Sequence, residues 1–415
     1  MKKLLALLLV LAMVFAFAAC NPKEDAGKTP EGSSDVKIGC ILIHDENSGY
    51  DAAHIEGIKG ACAELGIPES NIIFKYNIPE DAKCYDAATD LVEKGCTIIF
   101  SDSYGHQSYM QQAATDNPSV TFVACTGDNA APSGLSNLKN IFPYTFESRY
   151  VSGVVAGMKL QEMLADGTAT DAHVGYVGAF PYAEVVCGYT AFFLGIRSIV
   201  PDAYMDVQYT NSWYDPTAEA AAADALLSRG CVIIGQHADS TGAPSAVQEA
   251  YDNGAKVYSV GYNIDMLAVA PEAALTSAQN VWSKVYVEML RNFVEGKEVP
   301  TDFATGYANG AVAISALGAS CAAGTQEKVD EVWAAIKDGS LKVFDTSTFT
   351  CQPAADGSYT VDAEGHVTSA FALDTNGDWV NDSGEAIEDG AFIESVHRSA
   401  PYFALRIDGI TELNN

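Results

Sequence analysis

Through the first third of the chain, short apolar runs alternate with longer segments whose apolar residues recur at helical spacing. The run VKIGCILI at 36–43 is almost continuously apolar, as expected of a strand covered on both faces. A polar turn, HDENSGYD, fills 44–51. Ile55, Ile58, Ala61, Cys62 and Leu65 then mark one face of a helix over 52–65, which Gly66 and Pro68 stop. A strand at 71–77, a helix at 82–94, a strand at 97–100 entering SDSYGHQ, another helix, and a strand at 120–124 entering CTGDN follow. This alternation predicts a parallel sheet with right-handed crossovers. A crossing strand at 138–144 and a helix at 147–164 come next, with Gly153, Ala156 and Gly157 small enough for close packing.

A second series begins with HVGYVG at 173–178 and a helix at 184–199. Strands at 207–210, 231–235 and 256–261 alternate with two helices, the first opened by Asp215 as N-cap and Pro216. A short strand at 274–276, a helix at 278–295, a strand in GYANGAVAIS and a helix at 326–338 close the pattern. One sheet does not accommodate both series. The expected fold is α/β, with two doubly wound Rossmann-like lobes joined by a hinge. Lobe 1 takes 36–145 and about 276–305; lobe 2 takes 146–275 and about 306–344. Residues 345–415, rich in Thr, Ser, Asp and Gly, read as a β-rich C-terminal extension of hairpins.

In open parallel sheets ligands sit at the carboxyl edge of the strands, and a cleft between lobes is a common small-molecule site that closes by hinge motion. The strand ends supply Asp45, Tyr50, Ser101, Asp102, Tyr104, Thr126 and Asp128 in the first series. In the second they supply Asn211, Ser212, Trp213, Gln236, His237, Asp239, Tyr262, Asn263 and Asp265. Each also has a plainer reading. Tyr50 packs on the following helix, Trp213 belongs to the lobe core, His237 is a satisfied loop histidine, and Asp265 is a helix cap or hinge residue.

Composition narrows the classes. The net charge of −31 argues against nucleic-acid binding, which needs clustered Lys and Arg. Lys2, Lys3 and an apolar stretch over 4–19 form an export signal too short for a spanning helix. It ends in FAAC, which resembles a lipobox and implies cleavage before Cys20 and acylation of its thiol, anchoring the chain to the cell membrane on its extracytoplasmic face. Residues 21–35 read as a flexible tether. Of ten cysteines, Cys40, Cys96, Cys125 and Cys231 fall in or beside strands and read as small buried hydrophobes; a Cys321–Cys351 bridge stays open. No GxSxG, HExxH or P-loop occurs, so a binder is expected rather than an enzyme. In the extension, DTNGDWVNDSGE partly matches a calcium loop through Asp374, Asn376, Asp378, Asp382 and Glu385, although Trp379 stands where that loop needs Gly. A hairpin with an Asn-Gly turn is the alternative to a structural Ca²⁺ site.

The ordered pieces SGYDAAHIEG, YVSGVVAGMKL, NSWYDPTAEA, QHADSTGAPSAVQEA and SVGYNIDM resemble the basic membrane protein family of bacterial lipoproteins over about 36–344. The resemblance implies a type I periplasmic-binding-protein fold, an ABC importer as partner, and a purine nucleoside as ligand, with a subgroup suited to free bases such as adenine. By resemblance, Tyr50 falls where a Phe stacks on the base and Asp51 at a neighbouring Asn. His237, Asp239 and Ser240 fall in the loop that reaches the base. Asn263 replaces an Asp of the ribose-binding pair, and Asp265 matches the second acid. Trp282 lies near the position of a Lys used by nucleoside binders. A purine needs aromatic faces, for which Tyr50, Tyr104, Trp213 and Tyr262 are candidates, each stacking contact worth about 1–3 kcal/mol. It also needs in-plane partners, for which Asp45, Asp128, His237, Asp239, Asn263 and Asp265 are candidates. Nucleoside and free base both stay open, and so does a surface lipoprotein that uses the same cleft for sensing.

Overall fold

The computed structural model describes residues 35–378 and 380–414. The export signal, Cys20 and nearly all of the tether lie outside the described residues. Two open sheets carry the architecture. The first contains β1 (Ile38–Ile41), β2 (Ile72–Lys75), β3 (Ile98–Ser101), β4 (Thr121–Cys125), β5 (Leu138–Pro143) and, from far along the chain, β11 (Asp302–Thr305), in the order β11-β5-β4-β3-β1-β2. All its pairings are parallel. Helices α1 (Gly49–Leu65), α2 (Ala82–Glu93), α3 (Gln107–Asp116) and the single turn α4 (Ala130–Ser133) make the crossovers.

The second sheet contains β6 (His173–Gly178), β7 (Tyr204–Tyr209), β8 (Ile233–His237), β9 (Tyr258–Tyr262), β10 (Ala274–Asn280), β12 (Val312–Ile314) and β18 (Ile410–Glu412), in the order β12-β10-β9-β8-β6-β7-β18. Only β12 runs antiparallel, against β10. Its helices are α5 (Thr145–Asp166), α6 (Ala183–Arg197), α7 (Pro216–Ser228), α8 (Gly242–Asp252) and, after β12, α10 (Thr325–Asp338). Helix α9 (Trp282–Val294) returns to the first lobe and packs on α1. The two doubly wound lobes are therefore as expected, and the α/β class holds.

The chain passes between lobes after β5, after β10 and after β11. The second passage differs from the expected boundary near 276. ALTSAQN is one strand through Asn280, pairing Ala278 with Tyr262 on one side and Ile314 on the other, so the helix starts only at Trp282. The α5–α6 crossing explains the small residues read in the sequence. A methyl group on Gly153 would overlap the Phe192 carbonyl, and one on Gly195 would overlap that of Tyr150.

The extension is more than a set of appended hairpins. It does form a small antiparallel sheet from β13 (Tyr359–Val361), β14 (Val367–Leu373) and β15 (Ser383–Glu385), and a hairpin from β16 (Ile387–Glu388) and β17 (Ala391–Phe392). Yet Phe349, Phe392, Tyr402 and Phe403 share one buried core with Tyr150, Val154 and Phe193 of lobe 2. Strand β18 then completes the second sheet, lying parallel to β7 with Ile410 opposite Met205.

In the segment read as a partial calcium loop, the candidate side chains bond mainly to nearby backbone amides. Asp374 accepts the amides of Asn376 and Gly377, and Asn376 and Asp378 accept the amides two residues on. Asp382 takes the amide and hydroxyl of Thr375, and Glu385 takes the amides of Ala370 and Ile387 and the Ser369 hydroxyl. These bonds close turns and strand ends. Cys40, Cys62, Cys84, Cys96, Cys125, Cys187, Cys231, Cys321 and Cys351 are free thiols, so Cys321 and Cys351 are not bridged. Among the described residues, no helix is long and apolar enough to cross a membrane.

Candidate functional site

The carboxyl edges of the two sheets face each other, and a cavity of about 340 Å³, counted to its open mouth, lies between them. Lobe 1 lines it with Ile43, Tyr50, Asp102, Ser103, Tyr104 and Thr126; lobe 2 does so with Glu184, Trp213, His237, Asp239 and Tyr262. The lobes touch across it. The Gly49 amide donates to the Asp239 carbonyl at 3.3 Å, and the rings of His44 and Tyr214 lie 5.3 Å apart.

Local structure sets each wall. The polar segment after β1 already begins α1 at Gly49, with the Ser48 hydroxyl capping it from Asp51 N–H, so Tyr50 sits in the first helical turn. Its hydroxyl donates to the Asp102 carbonyl at 2.6 Å, which fixes the ring against the cavity. Tyr104, in a short turn after β3, donates to Asp128 Oδ2 at 3.2 Å. Across the mouth, Phe180 and Tyr182 stack at 5.0 Å, and Trp213 lies 5.2 Å from Phe180. Tyr182 is 47% exposed and its ring is 6.1 Å from Tyr104, so an aromatic rim spans both lobes. Thr126 has φ 65°, an uncommon conformation for a β-branched residue, and strain of this kind clusters at binding sites.

The charge balance is unusual. Asp102, Glu184 and Asp239 are three acids on one small cavity. Burial holds Asp239 well above the ordinary carboxylate range, with the charge of Glu219 adding to the effect. Burial pushes Glu184 up to about 7, Arg149 partly opposing it. Asp102 is raised by burial and then by the charge of Asp51, whose own carboxylate is held ionised against burial by hydrogen bonds from His44 and Ser48. His237 lies 3.4 Å from Glu184 and is kept neutral by burial and by the Arg149 cation. A carboxyl that holds its proton both donates and accepts, so acids of this kind between aromatic walls can pair with a donor–acceptor edge.

Of the residues expected from the sequence, Tyr50, Asp102, Tyr104, Thr126, Trp213, His237, Asp239 and Tyr262 meet at this cavity. The others take different places. Asp45 faces solvent and binds Asn47 and Asn77. Asp51 is buried and takes the His44 amide at 2.8 Å. Asp128 stands behind Tyr104. Ser240 is buried, its amide donating to Glu219. Asn263, at φ 64°, donates through Nδ2 to Asp239 Oδ1 at 3.1 Å and so buttresses a wall. Asp265 is exposed and caps a turn through the Leu267 amide. Trp282 is 1% exposed and packs on His54 and Tyr286 in the lobe 1 core.

Sequence reasoning missed Glu184 and Arg149. Glu184 opens α6, a segment read only for its helical period. Arg149 is buried in α5, its guanidinium 3.7 Å over the Tyr262 ring and donating to the Gln236 carbonyl at 2.6 Å. A lone cation inside an apolar helical stretch was the available signal. A second cluster, His173, Asp206 and Cys231, lies in lobe 2 away from the cavity-lining residues. Its groups are already paired: Arg229 and His173 both reach Asp206 Oδ2, and the Cys231 thiol, pushed up to about 12 by burial, donates to the Val174 carbonyl.

The chain matches, over residues 43–346, the family described as ABC transporter substrate-binding protein PnrA-like. It is 30% identical over 319 residues to a purine-binding protein of Brucella abortus, covering 77% of this chain and 85% of that protein. It is 31% identical over 252 residues to a putative ABC transporter glucose-binding protein of Haloferax volcanii, covering 61% of this chain and 60% of that one. Among solved structures, an ABC transporter solute-binding protein of Aeropyrum pernix superposes with TM-score 0.62 at 16% identity, covering 77% of this chain and 95% of that one, and shares the fold. The match over residues 43–346, with the two-lobed fold it accompanies, places the chain in the Bmp family of ABC transporter substrate-binding proteins.

Proposed function

We propose that the protein captures a purine in the inter-lobe cleft and delivers it to an ABC permease, held outside the cytoplasm by a lipid on Cys20. The observation that carries the ligand class is the cavity itself: aromatic walls from Tyr50, Tyr104, Trp213 and Tyr262 around the acids Asp102, Glu184 and Asp239. A purine edge sets a ring nitrogen acceptor beside an N–H donor, and a neutral carboxyl complements both at once. The similarity to a purine-binding protein supports the same class. Free base is favoured over nucleoside. Asn263 is engaged with Asp239 and Asp265 faces solvent, so neither is placed to grip a ribose diol.

A monosaccharide is the competing ligand, because the relative named for glucose has nearly the same identity and aromatic faces with acids also suit a sugar. Calorimetric titration of refolded, ligand-stripped protein separates the readings. Adenine and hypoxanthine are expected to give saturable heat, adenosine much less, and glucose none. Trp213→Ala and Asp239→Ala are each expected to weaken adenine binding about tenfold or more while the fold persists. Heat from glucose alone overturns the purine assignment. Unchanged affinity in both variants overturns the site.

A further inference from the structure

The extension touches both lobes, and one of its contacts ends on a wall of the ligand cavity. Its tie to lobe 2 is extensive. Strand β18 pairs with β7, Tyr189 and Tyr209 both donate to Glu412, and Arg197 meets Asp408 at 2.7 Å. Its tie to lobe 1 includes one turn, Arg398 and Ser399. The Ser399 amide donates to Asp302 Oδ1 at 2.6 Å, on the edge strand β11. Arg398 Nη1 lies 3.6 Å from Asp128 Oδ2. That same oxygen accepts the hydroxyl of Tyr104, which lines the cavity and opposes Tyr182 of lobe 2.

The arginine is preorganised. Its Nε donates to the Ala400 carbonyl at 3.3 Å, its Nη2 to that of Pro401 at 3.4 Å, and its guanidinium lies 5.9 Å from the Tyr402 ring centre. Tyr402 is in turn buried, its amide and that of Phe403 held by Glu394. The cation is thus presented to lobe 1 by a rigid part of lobe 2. The family match ends at residue 346, so this strap lies outside the shared body.

We propose that the C-terminal extension is a strap joining the two lobes, and that Arg398 is a positioning residue which holds Tyr104 in the cavity wall through Asp128. Separating the lobes must stretch the Arg398–Asp128 pair, so the strap favours the closed cleft and slows ligand escape. The idea concerns closure and does not depend on which ligand is bound.

Two measurements on the full chain test it. In ligand-free protein, hydrogen exchange of the peptide containing Tyr104 is expected to speed up in Arg398→Ala, with the melting temperature nearly unchanged and Arg398→Lys restoring protection. With adenine as probe, dissociation is expected to be about threefold to fivefold faster in Arg398→Ala, the size fitting a partly exposed ion pair. In an Asp128→Asn background, which removes the carboxylate through which both effects run, the Arg398→Ala change is expected to add little. Wild-type exchange and wild-type dissociation in a folded Arg398→Ala overturn the proposal, as does full additivity with Asp128→Asn. If adenine does not bind the unaltered protein, the purine assignment fails on its own and hydrogen exchange alone decides the strap.

Discussion

At the scale of single residues, several carboxyls are buried and held protonated more tightly than in water. Glu219 is fully buried in α7 and accepts the amides of Asp215 and Ser240 through one oxygen. Burial nevertheless outweighs these bonds and pushes it up to about 7. Glu184 in the cleft and Glu147 near the hinge are likewise raised by burial to about 7. A folded value above the unfolded one means that the folded state binds the proton more tightly. The associated stability is fully present below the unfolded value of 4.5 and is lost as pH rises through about 7. Each such shift corresponds to on the order of 3 kcal/mol. The melting temperature is therefore expected to fall between about pH 5 and about pH 8, and Glu219→Gln to flatten part of that fall. A profile that rises over this range would contradict the burial argument. None of this was legible in the sequence, where Glu219 is one more acid in a helix. Asp265 and Trp282 carry the same lesson. A motif position locates a residue along the chain, but solvent on one side and a closed aromatic core on the other decided their roles.

At the scale of elements, periodicity worked where one force acted alone. Strands β1, β3, β8 and β9 are buried along their whole length and carry apolar runs, and Pro216 with Asp215 marked the start of α7, Asp215 taking the amides of Thr217 and Ala218. It failed at 274–280, where Thr276, Ser277, Gln279 and Asn280 made a central strand look like a helix start. Their polar groups are satisfied across the sheet: Thr276 donates to the Ser315 carbonyl, and the Ser277 amide to the Ser315 hydroxyl. The small residues of α5 were legible as a packing signal but not their partner. Gly153 and Gly195 let α5 and α6 approach backbone to backbone. Gly153→Ala would gain about 1 kcal/mol in helix propensity in isolation. Here it must separate the helices, so a net loss of about 1–3 kcal/mol is expected in denaturant unfolding. A stabilised variant would show that the crossing is looser than described.

At the scale of the whole molecule, the question is whether the protein is two lobes with a decoration or one body that includes its tail. Composition pointed to a decoration, because Thr, Ser, Asp and Gly dominate residues 345–415 and hide a sparse set of large apolar residues. Those residues decide the matter. Phe344 stacks on Phe403 at 4.3 Å, Phe403 packs edge-on to Phe392 at 4.8 Å, and all three belong to the lobe 2 core. Strand β18 covers the β7 edge, where the Met205 amide donates to Gly409 and the Leu413 amide to Val207. A chain ended at residue 346, where the family match stops, would expose that core face and leave β7 as an open edge, a template for pairing with other chains. The expectation is that this truncated protein is recovered mainly as aggregate. A chain ended at residue 407 lacks only β18 and its flanks, so it should stay folded but melt lower and self-associate more. Size-exclusion chromatography with thermal melts distinguishes these outcomes. A soluble, monomeric and cooperatively melting 1–346 chain would mean that the two lobes close their own core and that the tail's packing adds little.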